Sequence, residues 1–369
     1  MSDPHLVFVI MGLVLLAYAL TGGADLGGGI LALLARGPHA EAERRAITRA
    51  IGPIWEANHV WLIVLVVLMF TVFPRAFAAL GIALHIPITL ALVGLVLRGT
   101  AFVFGAYGLG DDGERARWVR VFAWASAATP LCLGSVLAAV ASGEVRVRDG
   151  EVVSGYLAGW SSPFGLATGL LAVATFALTA AAYLSADAGP EVRPRFARHT
   201  RTAQAIVVTL ALATGLAARH DAPAFVASMR ASPWMPALLA SAAAAALVVW
   251  LTAGRARTHL TRAAVVLEVT CLVLGYGLGM DAHLLRPDLH VGNAGSHPRT
   301  VAALVPVLAF GTVLLAPSLW YLLAVFRGER ARREAAAEAE AEAPRRTPDD
   351  RPGRETCAAD PRDGRGSSH

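Results

Sequence analysis

The chain has 369 residues, of which 56% are hydrophobic and only 16% are charged, and its mean hydropathy is +0.54. About a quarter of the residues of an average globular chain are charged, so this composition excludes an ordinary soluble protein and is typical of a chain that lies mostly in lipid. The net charge of +5 does not indicate nucleic-acid binding, because the arginines form short clusters between apolar runs and no single basic stripe.

Apolar runs of about 17 to 25 residues predict the membrane-spanning helices. In chain order the predicted spans are Leu6–Leu34, Ile54–Phe73, Phe77–Leu97, Trp118–Ala141, Phe164–Leu184, Gln204–Ala218, Trp234–Thr252, Ala263–Met280 and Val301–Phe326. The predicted fold class is therefore all-α, a polytopic membrane protein of about nine transmembrane helices arranged in bundles.

The placement of the arginines predicts the orientation of the chain. The segments that follow the first, third, fifth and seventh spans hold roughly twice as many arginines as the alternate segments. Because cytoplasmic loops are enriched in basic residues, we expect the N-terminus outside and the C-terminus in the cytoplasm. Residues 1–327 form the predicted membrane domain. Residues 328–369 are charged and lack apolar residues to bury, so they predict a disordered cytoplasmic tail.

The first polar feature within an apolar run is Asp25, in the motif GGADLGGG. On a helix it shares a face with Gly22, Gly28 and Gly29. A face without side chains lets another helix, or the flat surface of a ligand, approach closely. A buried carboxylate is costly in lipid, so Asp25 indicates a functional site. A glycine packing seam in which Asp25 only caps a kink is the open alternative.

The second feature is the motif IGPIWEANHVWLI. Glu56 and His59 share a helix face, and Trp55 lies over Asn58 and His59. An acid, an amide and an imidazole at the mouth of a span predict a protonatable relay, because histidine titrates near neutrality and a desolvated glutamate also can. Trp55 and Trp61 also fit the role of interfacial anchors. The alternative is a cluster of mutually hydrogen-bonded polar side chains that only closes a helix junction.

Three acids are expected at one depth of the membrane. On the predicted path Asp25, Glu56 and Glu268 all lie near the cytoplasmic end of their spans. Their common depth indicates cytoplasmic proton access more than three separate packing features. Of the 11 histidines, only His59 and His85 fall in predicted spans, and no Cys or Met pairs with them, so we expect no metal and no haem bound directly by this chain.

The two motifs together resemble subunit II of the cytochrome bd-type quinol oxidases, including the cyanide-insensitive branch. The similarity runs from about Leu6 to Gly328 and continues through LRGTAF (Leu97–Phe102), SPFGLATGLL (Ser162–Leu171), RTAQ (Arg201–Gln204) and the final span. It implies a non-haem subunit of a terminal oxidase in the bacterial cytoplasmic membrane, which is not catalytic alone. In that family haem b, haem d and the quinol-oxidising loop belong to subunit I, a separate chain that subunit II binds as a heterodimer and helps to assemble.

The resemblance also implies roles for individual residues. The family's acids that match Asp25 and Glu56 are associated with a proton path from the cytoplasm, to which we add His59 and Glu268. Contacts within the helix bundle, with subunit I or with quinone are expected at Gly22, Gly28, Gly29, Trp55, Asn58, Trp61 and Arg98. Small accessory subunits, membrane lipid and quinone are the further expected partners, and nucleic acid is not.

One departure from the family concerns the proton entrance. After LRGxAF the family often carries an acid, with a basic residue two positions on, whereas this chain has Val103 and Gly105. Asp111, Asp112 or Glu114 are possible substitutes. Two other functions stay open: a secondary transporter or ion-coupled permease, which also places acids and glycine-broken helices inside spans, and an orphan structural family member without oxidase activity.

Overall fold

The computed structural model describes residues 3–51, 58–107, 111–255, 257–304 and 306–311, and residues 313–314, 317–318 and 321. Trp55 and Glu56, and the predicted tail at 328–369, lie outside the described residues. The chain divides into two units, Met1–Leu308 and Ala309–His369. The described residues of the second unit are helical. The features that follow belong to the first.

The first unit is built almost entirely of helices, with two short hairpins. The larger helices are α1 (Pro4–Leu34), α2 (Ala40–Ile51), α3 (Val60–Val72), α4 (Pro74–Ala83), α5 (His85–Tyr107), α6 (Asp112–Ser142), α7 (Pro163–Asp187), α8 (Arg193–Asp221), α9 (Pro223–Ala231), α10 (Met235–Thr252) and α11 (Thr258–Met280). The hairpins are β1 (Val147–Arg148) with β2 (Glu151–Val152) and β3 (His283–Leu285) with β4 (Leu289–His290), and the one-turn helix α12 (Val291–Ala294) follows. A shorter apolar helix, Pro298–Gly311, crosses the boundary between the two units along the chain.

Seven of the described helices are long and apolar enough to cross a membrane, or eight if the bent pair α3 and α4 counts as one span. The prediction of an all-α, polytopic membrane protein is therefore confirmed. The number nine stays a prediction, because the last predicted span, Val301–Phe326, is described only in part.

Two predicted spans have different bounds in the structure. The predicted span Phe77–Leu97 is wrong, because it joins parts of two helices. Its first residues belong to α4, which meets α3 at a bend of 117°, and the spanning helix α5 begins only at His85. The non-helical backbone of Phe73 and the proline at the start of α4 separate these helices, since proline cannot donate to the preceding turn. The predicted span Gln204–Ala218 is too short. The helix α8 begins at Arg193. Its first turns are rich in arginine, so a search for apolar runs does not detect them.

Helix α1 occupies the centre of the bundle, where it packs against α3, α6, α7 and α11. One end of the bundle gathers the start of α1, the helix α4, both hairpins and α12. At the opposite end the apolar side of α2, which includes Ile47, packs beneath α5, α6, α7 and α8. The polar residues of interest lie between these two ends.

The hairpin end is tied together by a surface ion pair. Asp149 and Gly150, both with positive φ, form the two-residue turn between β1 and β2, as an Asp-Gly pair prefers. The Arg146 guanidinium donates to both carboxylate oxygens of Asp288 at 3.0 and 3.1 Å, and the Val147 amide donates to Asp288 at 2.8 Å. Although partial burial acts to raise it, these hydrogen bonds and the charge of Arg146 hold the pKa of Asp288 below its usual value.

Candidate functional site

The central feature of the site is a buried ion pair between Asp25 on α1 and Arg98 on α5. Arg98 Nη2 lies 2.5 Å from Asp25 Oδ1, and the two side chains are only 1% (Arg98) and 3% (Asp25) exposed. Arg98 Nε also donates to Ser126 Oγ on α6 at 3.1 Å, and the guanidinium lies 5.0 Å from the centre of the Phe122 ring. The pair is neutral as a whole, which is how opposite charges can share an apolar interior.

Glycines on α1 and α5 allow both helices to pack closely against α6 near the ion pair. A Cβ atom at Gly29 would overlap the Ser126 hydroxyl, and one at Gly94 on α5 would overlap the Thr129 hydroxyl of α6. Gly29 therefore faces a neighbouring helix, as its place on the Asp25 face predicted. Gly27, which the sequence analysis did not single out, packs directly against the backbone of Phe176 on α7.

Gly22 has a different neighbour, which belongs to its own helix. The aromatic ring of Tyr18 lies over Gly22, where a Cβ would be 2.8 Å from Tyr18 Cε2 and 3.4 Å from Tyr18 Cζ. The ring also packs edge-on against Phe176, with ring centres 6.5 Å apart. On this face of α1, Gly22 lies between Tyr18 and Asp25.

The second sequence motif adjoins the first at the start of α3. Asn58 is buried beside the Asp25 carboxylate, and His59, at the N-terminus of α3, lies within electrostatic range of Arg98. Trp61 packs against the apolar cluster that contains Tyr18 and Leu26. The described part of this motif therefore joins the Asp25 site. Trp55 and Glu56 lie outside the described residues, and Gly28 is buried within α1.

Several polar atoms around the ion pair have no hydrogen-bond partner among the residues that the structure describes. They are Tyr18 Oη, Asp25 Oδ2, His59 Nδ1 and Arg98 Nη1. A buried polar group without a partner costs about 1–3 kcal/mol, so a concentration of such groups at one place distinguishes this site from ordinary packing.

Glu268 forms a separate polar site on α11. Its Oε1 accepts a hydrogen bond of 2.8 Å from Gln204 Nε2 on α8, and both side chains are buried. Asp25 is nine residues from the end of α1, and Glu268 is ten residues from the start of α11. Each acid has its own partner, and their common depth in the membrane stays a prediction. The pairing of Glu268 with Gln204 was not predicted from the sequence.

A third buried acid, Glu43 on α2, was not among the predicted residues. Its side chain is 1% exposed, accepts a hydrogen bond from Arg195 Nε, and lies with Oε2 3.5 Å from His199 Nε2. Arg195 also donates to the carbonyl of Arg36 at 2.8 Å. These contacts fasten α2 to α8 at the end of the bundle opposite the hairpins.

The loop that follows α5 carries the suggested substitutes for the missing family acid. Val103 is exposed, and the Phe104 ring stacks on Trp118 with centres 5.0 Å apart. Asp111 is the N-cap of α6, where its Oδ1 accepts the Glu114 amide at 2.7 Å. Asp111 therefore has a structural contact as a helix cap. The side chain of Asp112 is not among those that the structure describes.

Within the described residues, no three His, Cys, Asp or Glu side chains form a group able to hold a metal ion. His85 begins α5, where its Nδ1 donates to the carbonyl of Ile82 at 2.9 Å and its ring packs edge-on against Tyr156. These contacts account for His85 as part of a helix junction.

The sequence of this chain matches a known family over most of its length. Residues 4–326 match the family of cytochrome bd terminal oxidase subunit II. The chain belongs to this family. The resemblance drawn from the motifs around Asp25 and Asn58 is thereby confirmed.

Individual relatives agree with this family. The chain is 31% identical over 125 residues to cytochrome bd ubiquinol oxidase subunit 2 of Bacillus subtilis (strain 168), a match covering 34% of this chain and 35% of the relative. It is 28% identical over 215 residues to cytochrome bd-I ubiquinol oxidase subunit 2 of Escherichia coli (strain K12), covering 56% of this chain and 54% of the relative. The matches thus span about a third to about half of the length of these curated relatives.

The fold of this subunit II family member is also found in a solved structure. A chain in the structure of bd oxidase from Geobacillus thermodenitrificans matches with a TM-score of 0.73 and 23% sequence identity, covering 88% of this chain and 99% of that one. At this identity the likeness establishes the fold, and residue roles must be argued from the site itself.

Proposed function

We propose that this chain is the non-haem subunit II of a membrane-bound bd-type quinol:oxygen oxidoreductase, and that it acts as a heterodimer with a haem-bearing subunit I. Membership of the subunit II family and the names of the relatives support this proposal. The complex would reside in the bacterial cytoplasmic membrane, with the N-terminus of this chain outside.

The observation that carries a role in proton uptake is the buried pair of Asp25 and Arg98. Close packing of α1 against its neighbours would need only glycines, whereas this site also buries two opposite charges, with Asn58 beside the Asp25 carboxylate. Such a pair contributes little net stability compared with apolar residues of equal size. The presence of the ion pair therefore favours a function that needs a carboxylate inside the membrane.

In the proposed mechanism, quinol is oxidised on the outer side and protons for the reduction of dioxygen to water are taken up from the cytoplasm. Haem b and haem d in subunit I would supply the electron transfer and the oxygen chemistry. This chain would hold protons at Asp25, with Glu56 and His59 as neighbours on the path, while Glu268 holds a proton beside Gln204. Because protons are released outside and taken up inside, charge would be separated without a pump.

The chain would also support subunit I structurally. Helix α1 packs on four other helices, and the Arg98 side chain joins α5 to α1 and α6 at one point. A rigid bundle of this kind can present a fixed surface on which a partner assembles its haem sites.

Expression of this chain together with the haem-bearing chain of the same organism tests the proposal. We expect one complex that copurifies through a tag on this chain, has the absorption spectrum of b- and d-type haems, and consumes oxygen when given quinol. A colourless, solitary and stable chain would contradict the proposal and favour a transporter or an orphan structural protein. Asp25→Asn and Glu56→Gln in the complex then test the proton path, which fails if both variants keep normal turnover and proton uptake.

A further inference from the structure

The Tyr18 hydroxyl belongs to the same buried polar group as Asp25, although nothing in the sequence motif points to it. Tyr18, Gly22 and Asp25 follow one another at intervals of four and three residues, so they lie on one face of α1. The ring of Tyr18 covers Gly22, which lies between Tyr18 and Asp25 on this face. Asp25 and Arg98 both lie within electrostatic range of Tyr18.

The packing around Tyr18 explains where the ring lies but not why it carries a hydroxyl. The Phe176 ring packs edge-on against the Tyr18 ring, and a phenylalanine in place of Tyr18 would fill the same space. Tyr18 Oη is buried and has no hydrogen-bond partner among the described residues. A buried tyrosine usually finds a partner for its hydroxyl. Tyr276, a part-buried tyrosine that joins α11 to α6, does so by donating to the carbonyl of Leu137 at 3.1 Å.

Three further buried atoms near the ion pair also have no hydrogen-bond partner among the described residues: Asp25 Oδ2, Arg98 Nη1 and His59 Nδ1. Arg98 lies within electrostatic range of the other two residues and of Tyr18, so these atoms belong to one neighbourhood. Buried water in proteins typically makes about three hydrogen bonds to polar groups that otherwise have no partner. A phenol, a carboxylate oxygen and a guanidinium nitrogen are together a donor and acceptor set that suits a water molecule.

We propose that Tyr18 is a positioning residue of the proton path: its hydroxyl, with Asp25 Oδ2 and Arg98 Nη1, holds an internal water through which Asp25 exchanges its proton. The inference rests on the proposed function of Asp25 in proton uptake. The proton leaves the carboxyl of Asp25 for the water, and the water passes one of its own protons onward. Tyr18 stays neutral throughout, since it only orients the water by a hydrogen bond.

The test uses Tyr18→Phe in the complex with subunit I, which removes the hydroxyl and keeps the ring. Loss of one hydrogen bond to the transferring water is expected to lower kcat for quinol-driven oxygen uptake about 2- to 10-fold, with KM for quinol and haem content unchanged. The solvent deuterium isotope effect on kcat should rise, and the infrared carboxyl band of Asp25 should shift. If Tyr18 serves only in packing, neither the isotope effect nor the Asp25 infrared band should change.

Two further variants make the test decisive. Tyr276→Phe is the control, because it removes a hydrogen-bonded tyrosine hydroxyl from the same bundle, and it should lower thermal stability without changing the isotope effect or the Asp25 band. Gly22→Ala displaces the Tyr18 ring without removing its hydroxyl, so it should reproduce the kinetic effect even if Tyr18→Phe assembles poorly.

The inference about Tyr18 and the proposed function fail in different ways. If Asp25→Asn stops proton uptake while Tyr18→Phe and Gly22→Ala keep wild-type kcat, isotope effect and infrared band, the inference is overturned and the function of Asp25 stands. If Asp25→Asn itself keeps normal proton uptake, the proposed proton path is wrong and the inference about Tyr18 falls with it.

Discussion

Replacing Arg98 by methionine should destabilise the protein strongly, because it leaves the Asp25 carboxylate buried without its cation. The Asp25 side chain is 3% exposed and its hydrogen bond to Arg98 is 2.5 Å long, so water cannot readily take the place of the guanidinium. Removing one partner of such a pair costs about 3–5 kcal/mol. At about 2.1 cal/mol/K of unfolding entropy per residue, that is a loss of roughly 5–8 °C in Tm for a unit of this size.

The double variant Asp25→Leu with Arg98→Met should recover most of the lost stability, because it removes both charges and fills their volume with apolar groups. Thermal unfolding of the purified complex in detergent, followed by tryptophan fluorescence, measures each variant. Arg45→Met is the control, since the Arg45 ion pair with Glu41 is exposed and such pairs contribute about 0–1 kcal/mol. A Tm for Arg98→Met equal to that of the control would refute the argument. Recovery of oxygen uptake together with stability in the double variant would refute the functional role of the pair.

Three other predictions test separate parts of the structure. Gly29→Ala should push α1 away from Ser126 and cost about 1–3 kcal/mol in thermal unfolding, whereas Gly12→Ala on the same helix, with open space around it, should be neutral; equal effects would contradict the close approach. Glu268→Gln should keep Tm close to wild type yet slow proton-coupled turnover, which proton uptake measurements would reveal, and unchanged uptake would make the residue structural. Asp288→Asn should lower Tm near pH 6. Because folding lowers the pKa of Asp288, its stabilisation is present above its usual pKa of about 4 and is lost as pH falls below it, so the difference from wild type should shrink toward about pH 3. A difference that does not change with pH would contradict this reasoning.

The sequence was most informative where a single helix carries the information. Apolar runs predicted the membrane helices, and the helical spacing of Gly29 from Asp25 correctly predicted a face open to a neighbouring helix. The bend between α3 and α4 was missed, since both sides of it are apolar and hydropathy does not record a change of direction.

Long-range pairings could not be read from the sequence in the same way. Asp25 and Arg98 are 73 positions apart, and Glu268 and Gln204 are 64 positions apart, so only tertiary packing brings them together. Arg98 appeared in the sequence only as part of a family motif. Gly22 shows the same limit within one helix, because the orientation of the Tyr18 ring decides what occupies the space above the glycine.

Proton uptake by the complex in sealed vesicles would show whether Asp25 delivers protons. A pH-sensitive dye trapped on the cytoplasmic side would report protons consumed for each dioxygen reduced, in wild type and in Asp25→Asn samples matched for haem content. We expect Asp25→Asn to retain the haems but to take up protons far more slowly, with a corresponding loss of turnover. Equal uptake rates and equal turnover in the two samples would show that the buried carboxylate of α1 has no part in delivering protons.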